Sequence, residues 1–114
     1  MNRRAAIEAL IELRGDVGDL TSAALAFLPA PLEPSVTLTE AHIDAVLDRY
    51  LRGTLSANEV ERWADAVEGR DDVQYRDIHA GVISNLLFRL STPEINTPLT
   101  HEVARAMRHE IAVL

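Results

Sequence analysis

Three carboxylates, Glu61, Asp65 and Glu68, stand at i, i+4 and i+7 in the stretch EVERWADAVEGRDDVQY (59–75). On a helix that spacing draws them into one line along one face, and Asp72 continues the line if the helix runs past Gly69. Carboxylates aligned in this way have three uses. They can hold a divalent cation together with ligands from a second element, share acid–base work with a histidine, or present a negative surface to a basic partner.

The first two uses need companions. Metal sites inside helical bundles draw on Glu-x-x-His pairs, and none of His42, His79, His101 and His109 has a Glu three positions before it. Glu59-Val60-Glu61 does not supply the paired-acid pattern with which helical pyrophosphohydrolases hold magnesium. A small metal-dependent hydrolase using these carboxylates with a histidine stays open as an alternative. The plain reading is a solvated helix side, because like charges at i, i+4 cost only about a few tenths of a kcal/mol. The sharper one is a partner-facing acidic surface, whose attraction would be a salt-sensitive steering effect.

Composition narrows the chemistry further. The chain has 114 residues and no Cys, and all eleven of its basic residues are Arg. Thiol nucleophiles, Cys-ligated zinc, Schiff-base chemistry and a phosphate-loop lysine are therefore excluded. There is no glycine-rich phosphate loop, nucleophile elbow or HExxH. No cofactor is expected, and the weight falls against an enzyme. A net charge of −7 argues against nucleic acid and against an anionic membrane surface. The charge is concentrated: residues 40–77 carry ten acids against five Arg. A helix–turn–helix reader of DNA over 40–69 fails because its recognition helix would be acidic. No apolar run reaches the roughly 18 residues of a membrane helix, and Glu8 and Glu12 interrupt what would be the apolar part of a leader. A cytoplasmic protein is expected.

The elements that must position these groups are helical almost throughout. Ile7, Leu10, Ile11 and Arg14 predict a first helix stopping at Gly15. Asp16 caps a second, with Leu20, Ala24, Phe27 and Leu28 as its stripe and Pro29 as its end. Residues 29–38 read as a Pro-rich connector. A third helix starts from a Thr37-x-x-Glu40 capping box, with Thr39 as a rival cap. It buries Ile43, Val46, Leu47, Tyr50 and Leu51, pairs Asp48 with Arg52 outside, and stops at Gly53.

The fourth helix has the clearest start: Ser56 and Glu59 form a capping box, and Leu55 and Val60 are placed as a hydrophobic staple. Val60, Trp63, Ala64 and Val67 share one sector, so Trp63 is a core residue, and the third and fourth helices form a tight helix–turn–helix pair. A fifth helix is expected from about Gln74 to Leu90, capped by Asp71 or Asp72. Ile78, Val82, Ile83, Leu86, Leu87 and Leu90 cover a wide arc that marks it as central. Gly81 within it suggests a neighbour crossing closely. Residues 91–99 are a loop, and Thr100 caps a last helix with Val103, Ala104, Met107 and Ile111 inside. The sum is an all-α fold, a compact bundle of about six helices forming a single domain over 1–114.

Two further groups of residues invite a functional reading. His79 falls in the apolar arc of the fifth helix, as a hydrogen-bonded core residue, and Arg89 at the arc's margin calls for a carboxylate from the third or fourth helix. His101, Arg105, Arg108 and His109 gather on the outer side of the last helix. They are either a solvated basic face or a patch that meets the acidic stripe of a second copy.

LRGTLSANEVERWADAVEGRDDVQY (51–75), LLFRLSTPEI (86–95) and PLT (98–100) together resemble a group of short bacterial all-helical proteins without an assigned activity. That group shares an LxGxLSAxEVExWA core, an ExRDD step and an LFxLxxPEI segment. The resemblance spans about residues 40–100 and implies a bacterial, small helical protein with no catalytic residues to carry over. Toxin-neutralising immunity proteins are also small, acidic and helical, a likeness of size and charge alone. The expectation is a non-enzymatic binding module, immunity- or regulator-like, facing a basic protein partner with Glu61, Asp65, Glu68 and Asp72. A self-associating structural protein, a homodimer in the simplest case, is the other alternative.

Overall fold

A computed structural model describes residues 2–27 and 36–114. Among these residues six helices are present: α1 (Arg3–Ile11), α2 (Val17–Leu25), α3 (Glu40–Leu51), α4 (Ala57–Glu68), α5 (Ala80–Ser91) and α6 (His101–Ala112). Two three-residue strands, β1 (Val36–Leu38) and β2 (Val73–Tyr75), pair in parallel with Val36 opposite Val73 and Leu38 opposite Tyr75. The α3–α4 pair forms the crossover between the strands, which parallel pairing requires. The all-α bundle expected from the sequence is the observed architecture, with this small sheet added. Among the described residues no helix is long and apolar enough to cross a membrane.

Trp63 lies at the centre, fully buried, with Ile7, Leu10, Ile43, Leu47, Ile83, Leu86 and Leu87 in the same apolar cluster. Its indole Nε1 donates to the Leu10 carbonyl at 2.9 Å, so the ring's one polar atom is satisfied inside the core. The α4–α5 pair makes the most extensive contact, followed by α1 with α2 and α3 with α6.

Local signals set most boundaries. Ser56 and Glu59 exchange both bonds of the capping box, at 3.1 and 3.0 Å, and Leu55 and Val60 are both buried. Asp16 accepts from the Asp19 amide, Thr100 accepts from the Val103 amide, and Asp48 pairs with Arg52 at 2.8 Å. Helix α3 ends with Gly53 at φ +82°, while the amides of Gly53 and Thr54 return to the carbonyls of Tyr50 and Arg49.

Several expectations are corrected. Helix α1 ends at Ile11, not at Gly15: Leu13 takes the left-handed position at φ +51° and is 1% exposed. Burial of its side chain outweighs the backbone preference that pointed to glycine, and Arg49 of α3 donates to its carbonyl at 2.8 Å. The connector closes before Val36, because residues 36–38 form β1; Leu28 and residues 29–35 lie outside the described residues. Thr37 is therefore a strand residue and Thr39 is the cap of α3. Its backbone N–H donates to His42 Nδ1 at 3.0 Å.

The fifth helix starts at Ala80 rather than Gln74, because residues 73–75 pair with β1 and Asp77–His79 form a 3-10 turn. Ile78 is accordingly 73% exposed instead of buried. Among the described residues a Cβ at Gly81 would have no neighbour within 4 Å, so none of them crosses closely there. Ser91, expected in the loop, is the last residue of α5.

Candidate functional site

Helix α4 is anchored through Val60, Trp63, Ala64 and Val67, all fully buried. That burial fixes its rotation, so the carboxylate line necessarily faces away from the core. It does not form one uniform surface. Glu68 leans on α5, where its Oε1 accepts the Ser91 hydroxyl at 2.8 Å. Glu61 is half-buried and lines a cavity of about 210 Å³ together with Arg89, Leu90, Pro93, Leu99 and Met107. Asp65 is exposed at the crest and borders a groove against Gly18, Thr21 and Ser22 around α2, which Arg62 also lines without forming an ion pair to it. Neither Glu61 nor Asp65 makes a side-chain hydrogen bond or ion pair among the described residues.

Asp72 does not continue this line. Helix α4 is capped at Gly69 and the chain turns inward, leaving Asp72 at 6% exposure between two arginines. Arg3 Nη1 donates to Asp72 Oδ2 at 2.8 Å; Arg70 Nε and Nη2 donate to Oδ1 and Oδ2, each at 2.8 Å. The same Arg70 donates to the carbonyls of Ala24 and Phe27 at 2.9 and 3.0 Å. One carboxylate thus ties α1, the end of α2 and β2 together. The Arg70 hydrogen bonds hold the Asp72 carboxyl below its ordinary pKa, with help from Arg3 and against the opposing push of burial. Asp72 is a structural residue and is withdrawn from any partner surface. A sequence reading misses this because Asp72 gains partners 69 residues away in Arg3 and around a turn in Arg70. The usable signal is the ExRDD step itself, in which an Arg two positions before an Asp can close a bidentate pair.

Several of the remaining titratable groups singled out by the sequence are engaged within the chain. Arg89 pairs with Glu110 of α6, at 3.1 Å to both oxygens, rather than with α3 or α4. Arg108 reaches Asp44 at 2.9 Å and Asp48 at 3.2 Å on α3, and His101 packs edge-on to Tyr50 at 5.2 Å between ring centroids. Of the expected basic patch, His101, Arg105 and His109 stay exposed and Arg108 is half-buried. His79 lies on the 3-10 turn, its Nδ1 at 3.4 Å from Glu40 Oε1, an oxygen that also accepts from Arg76 at 3.0 Å. Burial lowers the pKa of His42, whose Nδ1 serves as an acceptor and is therefore unprotonated. Among the described residues no three His, Asp or Glu side chains are grouped to hold a metal ion.

The site that emerges is a short acidic crest, Glu61 and Asp65, beside an apolar cavity. No family model, no curated protein and no solved structure matches the chain.

Proposed function

We propose that this chain is a non-enzymatic protein-binding module that meets a basic partner with the acidic crest of α4. One observation carries the reading. Glu61 and Asp65 make no ion pair among the described residues and stand one turn apart on one anchored helix. Asp44, Asp48, Asp72 and Glu110, by contrast, are each matched to an Arg. Other unpaired acids, among them Asp71, Asp77, Glu94 and Glu102, lie singly in turns, the loop or a first helical turn. Two uncompensated carboxylates one turn apart on a rigid, fully anchored helix form a fixed negative site with little ordering entropy left to lose. In a chain of net charge −7 they sit in a wider negative field that speeds encounter with a cation. The attraction weakens as salt shortens the screening length to about 8–10 Å.

The test reverses Glu61 and Asp65 to Arg and repeats a pull-down from the native lysate at low and moderate salt. Neither side chain makes a hydrogen bond or ion pair among the described residues, so the double variant should keep a melting temperature near that of wild type while losing the partner. Partner recovery equal to wild type refutes the proposal.

A further inference from the structure

The cavity beside Glu61 differs in character from the crest above it. Its walls come from α4, the end of α5, the loop after it and α6, and its floor is Leu90 and Met107, 4% and 2% exposed. Pro93 and Leu99 close the sides. At about 210 Å³ it is smaller than the roughly 300–1,000 Å³ of sites that enclose whole small molecules. Its size suits one large apolar side chain, and Met107 supplies an adaptable surface for it. Two charges stand at the mouth, and they are not equivalent. Arg89 is neutralised by Glu110 at 3.1 Å and further held by Asn85 at 3.3 Å. Glu61 has no such partner, so the net charge at the rim is negative, and Asp65 extends it one turn along α4.

We infer that the cavity receives an apolar side chain from a basic segment of the partner, so that the recognised motif is a Leu-like residue flanked by Arg or Lys. The inference rests on the acidic crest being a partner surface and specifies what that partner carries. A buried apolar anchor surrounded by charge-complementary contacts is how small interfaces concentrate their affinity. The flanking cations answer Glu61 and Asp65, while the anchor sets register and distinguishes this partner from any other basic surface.

The probes are the capped pentapeptides GRLRG and GRARG, titrated into isotopically labelled protein and followed by amide shifts. Three proteins are compared: wild type, Thr97→Trp, which fills the mouth from an exposed loop position, and the Glu61→Arg/Asp65→Arg double variant. The expected result is saturable binding of GRLRG, with shifts at Leu90, Leu99 and Met107. GRARG should bind roughly tenfold or more weakly, as befits burying a leucine. Thr97→Trp should abolish the preference for leucine while keeping the wild-type melting temperature. Equal binding of the two peptides, lost only in the double variant, overturns the cavity occupant and leaves the acidic crest standing. Absence of saturable binding by GRLRG also overturns the inference, and the pull-down then judges the crest separately.

Discussion

Replacing Asp72 with Asn separates the two roles its position could have served. The side chain is nearly isosteric, so packing is preserved and the perturbation is the loss of one charge between two buried guanidiniums. The side chains of Asp72, Arg3 and Arg70 are 5%, 6% and 9% exposed, which leaves little solvent to screen the Arg70 guanidinium once its carboxylate is gone. Breaking a buried ion pair by removing one partner costs about 3–5 kcal/mol. That is a large part of the roughly 5–15 kcal/mol that holds a domain of this size together. At about 4 °C per kcal/mol the melting temperature should fall by about 12–20 °C.

The loss should also be local in a specific way. Arg70 holds the end of α2 through the carbonyls of Ala24 and Phe27, so hydrogen exchange in α2 should quicken before that of α4. The pH dependence provides a second readout. A carboxyl with a lowered folded pKa contributes stability that is complete above its unfolded value of 3.8 and is lost as pH falls through the folded value. The gap between wild type and Asp72→Asn should therefore narrow below about pH 4. Asp65→Asn, on the exposed crest, is the control and should change stability by no more than about 0.5 kcal/mol. Chemical denaturation with circular dichroism measures both. An Asp72→Asn variant within 1 kcal/mol of wild type would refute the structural assignment and return Asp72 to the surface.

Two smaller predictions follow from the same geometry. Gly81→Ala should stabilise α5 by about 0.5–1 kcal/mol, since the position is helical and open; a destabilised variant would reveal a crossing element after all. His42 caps α3 as a neutral acceptor, and burial depresses its pKa, so it contributes stability above pH 6.5 that drains away as pH falls through its lowered folded value. His42→Gln keeps an acceptor that does not titrate, and its melting temperature should vary less than that of wild type between pH 7 and 5. Parallel profiles would refute the role.

Local chemistry was enough to read much of this molecule. The Ser56–Glu59 box, the Gly53 stop, the Thr100 cap and the angular placement of Trp63 all depend on residues within one or two turns. Such interactions are present in any conformation where the helix forms. The outward line of Glu61, Asp65 and Glu68 follows from the same 3.6-residue period. What tertiary structure alone decided involves partners distant in sequence. Three-residue strands are too short to display a period, so β1 and β2 exist only because the α3–α4 crossover brings them side by side. Their pairing delays the start of α5 and carries Ile78 into solvent. Burial of Leu13 moved the end of α1 away from the glycine, and two distant arginines drew Asp72 inside. The carboxylate line in the sequence therefore held two kinds of residue. A helical period can say which face a side chain occupies, but only packing determines whether anything is waiting there to neutralise it.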